Sequence, residues 1–184
     1  MTLPATDPEL RPAVLRSVFS TFPTGVVAVC AIVSGARVGM AVSSFTSVSL
    51  DPPLVAFCVQ RTSRTWHTLR TAPRLGVSVL ASSHAGAART LAARDGDRFA
   101  GLDTTTTDSA VHIRDSVSDL TCSLQDTVDA GDHLLVILRV HTARADAAAS
   151  PLVFHRSGFT GVAQHDDQQP RPSSPVQHAR SHRS

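Results

Sequence analysis

The sequence predicts a mainly β fold with flanking helices, a small antiparallel β-barrel that carries its helices on the outside. Three observations predict it. Short apolar runs rich in Val, Ile and Phe recur along the chain and outnumber the helical segments. Turn-forming tetrads, Ser34-Gly35-Ala36-Arg37 and Asp129-Ala130-Gly131-Asp132, join neighbouring runs as hairpins do. With 184 residues and 42% hydrophobic content, the chain suits one domain with a full core.

Taken in order, "TDPELRPAVLRSVFSTF" (6–22) predicts an opening helix. Asp7 suits the N-cap and Pro8 the first helical position, although Pro12 offers a later start. Val14, Leu15, Val18, Phe19 and Phe22 share one face at helical spacing. Gly25–Val33 then reads as a strand, "SGAR" as its turn, and Val38 onward as a return strand bearing Ser43, Ser44, Thr46, Ser47 and Ser49. "PPLVAFCVQ" (52–60) is a buried strand with its prolines at the entrance. "TSRTWHTLRTAP" (62–73) is a short helix capped by Thr62 or Ser63 and ended by Pro73. "LGVSVLA" is a strand, and "SSHAGAARTLAARDG" a Ser-capped helix closed by Gly96. "TTTTDS" reads as a polar connection. Residues 110–146 read as two long antiparallel strands turning at "DAGD", and "PLVFHRSGFTGV" closes the fold. The ordered domain is expected over 1–163. Residues 164–184 lack Leu, Ile and Phe and predict a disordered polar tail, whose three histidines count as solvated.

Composition narrows function. A net charge of +2 is too small to imply nucleic acid or an anionic membrane. All 17 basic residues are Arg, which excludes Schiff-base and P-loop lysine chemistry. Cys30, Cys58 and Cys122 match neither zinc spacing nor a disulfide framework; buried free thiols and a cytoplasmic location are expected. The N-terminus lacks the pattern of a signal peptide, and no apolar run approaches the roughly 20 residues of a membrane helix.

Four stretches could carry chemistry. The hydroxyl cluster suits a ligand with many acceptors, or else an edge strand's solvent face. "RTSRT" (61–65) sets hydroxyls and two arginines before a helix, which suits a phosphate as well as an ordinary N-cap. "GDH" (131–133) is a turn or half a triad, but no G-x-S-x-G elbow accompanies it. "DRFAG" (97–101) is a turn with a buried Phe99. His67, His112 and His141 lack a second ligand at useful spacing, so no metal site is expected.

Together, "FPTGV", "GMAVSSFTSVSLDPPLVAFCV", "TSRTW", "GVSVL", "DRFAG", "AGDHLLVILRV" and "PLVFHRSGFTG" occur in an order that resembles the short-chain flavin reductases. These are the reductase components of two-component flavin monooxygenases. The resemblance spans about residues 11–162. It implies an FMN-binding split β-barrel, usually a homodimer, with FMN or FAD as flavin and NADH or NADPH as hydride donor. It further implies a partner monooxygenase that receives the reduced flavin. By the same resemblance, Met40, Ala41, Val42, Ser43 and Ser44 border the flavin ring, with Thr46 and Ser47 near its ribityl chain and phosphate. Arg61, Thr62 and Ser63 hold the phosphate region, and Trp66 packs beside it. His133, Arg98 and Phe99 lie where the nicotinamide enters, and Val153, Phe154, His155 and Arg156 line that mouth. His133 is the expected positioning group for the nicotinamide. His84, where relatives often carry Gln, joins the cofactor contacts. Ser78 stands where relatives carry a strand Asn, and His155 and Phe159 where they often carry a Tyr pair. A bound-flavin enzyme acting on an organic substrate, and a non-catalytic flavin carrier, are the alternatives.

Overall fold

The computed structural model describes residues 10–162. The segments expected at Asp7 and Pro8 and over 164–184 lie outside these residues. Helix α1 spans Pro12–Phe19, with Arg11 at its N-cap, so the later proline starts it. The strands are β1 (Thr24–Gly25), β2 (Val27–Val33), β3 (Ala36–Val42), β4 (Thr46–Leu50) and β5 (Pro53–Gln60). Then come α2 (Arg64–Leu69), β6 (Leu75–Val79) and α3 (Ala85–Ala92). The rest are β7 (Thr104–Thr107), β8 (Ala110–Ile113), β9 (Ser118–Ala130), β10 (His133–Ala145), β11 (Leu152–His155) and β12 (Gly158–Gly161).

The main sheet runs β4-β5-β10-β9-β6-β2-β8-β7, with β3 paired to β2; β1, β11 and β12 form a small second sheet. All described pairings are antiparallel. The barrel is not closed by a ladder. β3 pairs only with β2 among the described residues, and between β3 and β5 the sheet is open. That seam is the split in the barrel.

Strand β2 explains why its sequence is almost wholly apolar. Val27, Val29 and Ala31 enter the barrel core with Phe57, Leu69, Leu75, Val77, Val136 and Leu138. The alternate residues Ala28 and Cys30, with Val26 before the strand, enter a second core under α3 with Leu80, Leu91, Phe99, Val111 and Leu152. A strand covered on both faces needs apolar residues at both parities. Burial pushes the thiols of Cys30 and Cys122 up to about 12, so both are inert; Cys58 is exposed, contrary to expectation, because it sits on the outer face of β5.

Other expectations shift for physical reasons. The return strand ends at Val42, and the hydroxyl cluster divides: Ser43 and Ser44 fall in a break, while Thr46, Ser47 and Ser49 belong to β4, which pairs with β5. The threonine run is a strand, β7, paired with β8 from Thr104↔Ile113 to Thr107↔Ala110; β-branched residues at an edge tolerate solvent. Residues 110–113 are therefore a separate strand and not the start of β9. Helix α3 follows a 3-10 turn at Ser82–His84, has no serine cap, and ends at Ala92, before Gly96. The apolar face of α1 is present but uncovered: Val14, Val18 and Phe19, with Phe22 beyond the helix, are 46–72% exposed.

Candidate functional site

The seam holds a hollow of about 350 Å³. One wall is the end of β3 and the break that follows: Met40, Ala41, Val42, Ser43 and Ser44. The other is Cys58, Val59 and Gln60 of β5, with Ser63 and His133 at the rim. Ser44 clasps the two walls. Its hydroxyl donates to the Cys58 carbonyl at 3.0 Å and accepts the Cys58 N–H at 2.9 Å. The Ser43 hydroxyl has no hydrogen-bond partner among the described residues, which leaves it available at the mouth.

The rim is tied to the tip of the long β9–β10 hairpin. His133 opens β10, opposite Gln60 of β5 and Ala130 of β9. Its Nδ1–H donates to Asp132 Oδ1 at 2.7 Å, which fixes the tautomer and leaves Nε2 as the free ring nitrogen. The bond from His133 holds the Asp132 carboxyl below the usual carboxylate range. Arg61 N–H donates to the Asp132 carbonyl at 3.1 Å, and Arg61 Nη1 pairs with Asp129 Oδ1 at 2.9 Å. Ser63 caps α2 by accepting the Trp66 N–H at 3.2 Å.

The structure therefore brings together Met40 through Ser44, Ser63 and His133, and separates others from them. Thr46 and Ser47 lie along β4 beside Ala56 and Val55, outside the hollow. Arg61 and Thr62, next to Ser63 in sequence, do not line it, and Arg61 is paired with Asp129. Trp66 is 1% exposed, packs edge-on to Phe57 at 5.4 Å and belongs to the barrel core, so it supports the site from within. His84 faces a different hollow with Asp103, Arg114 and Asp115, because its Nδ1 accepts the Ala81 N–H at 3.2 Å. Burial lowers its pKa. Arg98 and Phe99 do not join His133: Arg98 lines a second hollow, of about 360 Å³, and Phe99 is buried beneath it.

Of the C-terminal residues, Phe154 lines an apolar hollow shared with Ala41, Val42, Ser43 and Phe159. Val153 pairs with Gly25 on β1. His155 pairs with Gly158 at the end of β11, and Arg156 is in the following turn, where its N–H donates to the Ser20 carbonyl. Sequence reasoning missed Cys58, Val59 and Gln60. The alternation over the last four residues of β5 carried that signal, since Phe57 and Val59 are buried while Cys58 and Gln60 are exposed.

The fold and these hollows define an antiparallel barrel protein with an open seam that holds a hollow of small-ligand size. The chain belongs to the flavin reductase family, for residues 19–163 match the flavin reductase like domain. It is 40% identical over 156 residues to a flavin reductase of Pseudomonas putida, covering 84% of this chain and 92% of that protein. It is 36% identical over 154 residues to the reductase subunit of a flavin-dependent monooxygenase of Rhodococcus jostii (strain RHA1), covering 83% and 79%. Among solved structures, an NADH:FAD oxidoreductase of Streptomyces globisporus C-1027, in complex with NAD and FAD fragments, superposes with a TM-score of 0.80 at 34% identity. That match covers 90% of this chain and 100% of the other.

Proposed function

We propose that the protein is an NAD(P)H-dependent flavin reductase, an oxidoreductase that reduces FMN or FAD and supplies the reduced flavin to a partner monooxygenase. The observation that carries this reading is the seam hollow, which sets an open strand edge, uncharged hydroxyls and one tautomer-fixed histidine around a single space. These residues fit a flavin. The free edge of β3 offers backbone donors and acceptors to the polar rim of a ring system, and Ser43 and Ser63 suit a polyol and its phosphate. A bound flavin supplies the hydride acceptor for a reduced nicotinamide, so the protein needs no nucleophile of its own. His133 orients the nicotinamide through Nε2, Asp132 holds that ring in place, and Ser44 keeps the seam at its width. Arg61 and Thr62, next to Ser63 in sequence, meet the phosphate.

A bound-flavin enzyme acting on an organic substrate is the second reading. The small apolar hollow between Ser43, Phe154 and Phe159 favours it, because it gives an organic molecule a place beside the flavin. The uncovered face of α1, with Leu50 of β4 at 95% exposure, supports a homodimer, and the buried free thiols suit the cytoplasm.

The test is oxidation of NADH and NADPH by flavin-stripped protein with riboflavin, FMN or FAD added in turn. Turnover that scales with added flavin, and flavin that leaves the protein on gel filtration, is the expected result. Flavin that stays bound through turnover selects the second reading, and flavin binding without any oxidation refutes the first and turns the search to a bound-flavin enzyme or a carrier.

A further inference from the structure

The rim of the seam hollow at His133 is built on one cross-strand pair. Gln60 ends β5 and His133 opens β10, directly opposite one another, and both line the hollow. The bond from the Arg61 N–H to the Asp132 carbonyl, at 3.1 Å, flanks this pair, so Gln60 and His133 form a non-hydrogen-bonded pair of the antiparallel ladder. In such a pair the Cα atoms stand about 4.5 Å apart and the side chains lie closest. Alternation sends both side chains to the outer face of the sheet, since Val59 beside Gln60 belongs to the barrel core and Leu134 beside His133 packs against it.

The two groups are chemically complementary. His133 Nδ1–H is committed to Asp132 Oδ1 at 2.7 Å, so in the neutral ring Nε2 carries a lone pair and only accepts. The Gln60 backbone is held, because its carbonyl accepts the Ser63 N–H at 3.0 Å. Its side-chain carboxamide is exposed and makes no hydrogen bond among the described residues, which leaves a donor free next to the His133 acceptor. The charged side chains beside them in sequence, Asp132 and Arg61, are paired with His133 and Asp129. An uncharged acceptor next to an uncharged donor matches a primary carboxamide on a ligand, one group for its N–H and one for its carbonyl.

We infer that Gln60 is a specificity-determining residue for the hydride donor: its side-chain N–H donates to the carbonyl of the nicotinamide carboxamide while His133 Nε2 accepts the carboxamide N–H. The inference rests on the flavin reductase reading, which brings the nicotinamide to His133. Two bonds to one carboxamide fix the rotation of the ring in its own plane, and with it the place of the hydride-bearing carbon against the flavin.

The test is steady-state oxidation, at saturating flavin, of whichever of NADH and NADPH the native chain oxidises faster, and of its thioamide analogue, whose sulfur is a poor hydrogen-bond acceptor. Both are measured with the native chain and with Gln60→Leu, and a flavin titration accompanies each. The intrinsic reactivity of the analogue is the same for both proteins, so a change in the carboxamide-to-thioamide ratio of kcat/KM reports the contact alone. The rim is open to water, so the expected result is moderate: in Gln60→Leu, KM for the carboxamide donor rises about five- to tenfold and the ratio shrinks by a similar factor, with the flavin dissociation constant unmoved. An unchanged KM and ratio overturn the inference while the flavin reductase reading stands. A raised flavin dissociation constant with an unchanged ratio also overturns it and assigns Gln60 to the flavin. Failure of the native chain to oxidise either nucleotide with any flavin overturns the functional reading itself.

Discussion

Two adjacent serines should differ in what the same substitution does to stability. In Ser44→Ala, the protein loses both hydrogen bonds that the hydroxyl makes with the Cys58 backbone, at 3.0 and 2.9 Å. Neutral hydrogen bonds contribute about 0.5–1.5 kcal/mol each, and water can replace part of these because Cys58 is exposed, so the expected cost is about 1–2 kcal/mol. For a domain of this size, that lowers the thermal midpoint by roughly 2–8 °C. The seam also loses its clasp, so flavin affinity falls several-fold. Ser43→Ala removes a hydroxyl without a protein partner, so the midpoint should hold while flavin affinity falls. Calorimetry and a flavin titration on both variants test this together. A Ser44→Ala protein with an unmoved midpoint, or a Ser43→Ala protein that is destabilised as much, would refute the division of roles.

Three further outcomes follow from single contacts. Gly76→Ala sets a Cβ 2.6 Å from the Val111 carbonyl carbon and 2.9 Å from its nitrogen, and backbone cannot swing away. A loss of about 3 kcal/mol or more in urea unfolding, or an insoluble protein, is expected. His133→Ala should leave the flavin dissociation constant unchanged and raise KM for the reduced nicotinamide; a changed flavin affinity with an unchanged KM contradicts its placement. For His84, burial depresses the folded pKa below the ordinary 6.5. The unfolded chain then binds the proton first, so stability is full above 6.5 and declines as pH falls from there towards the folded value. His84→Gln keeps an acceptor for the Ala81 N–H and removes the titration, so its midpoint should drop less than the native one between about pH 7.5 and 5.5.

Hairpins and apolar strands were legible because their patterns are local. The turns at Ser34-Gly35 and Gly131-Asp132 stand where their residues predict, with Ser34, Gly35 and Gly131 all at positive φ. The break at Ser43–Phe45 was not, because a run of hydroxyl residues reads the same whether it continues one strand or starts another. What ends β3 is Ser44 turning to β5, a contact across 14 residues. The burial of Trp66 was illegible for a related reason. A tryptophan beside a phosphate-like stretch reads as a site residue, yet it is the Phe57 ring, placed by β5, that draws it into the barrel. Arg37, two residues after a turn, carried no sign in the sequence that it would meet Arg64 and Arg98.

The seam's hydrogen bonds also bear on how firmly it grips. Ser44 is bonded to Cys58, Ser63 to the Trp66 N–H and Arg61 to Asp129, so much of the polar lining already has protein partners. A ligand must share these donors or displace the partners, and each exchange returns little net free energy. On the proposed reading, such a seam would hold a ring system in register without binding it strongly. An enzyme that hands on its reduced product needs that balance, since binding equally tight before and after the reaction slows release and does not quicken the chemical step. On this view the pairing with Asp129 weakens the hold that Arg61 would have on a phosphate.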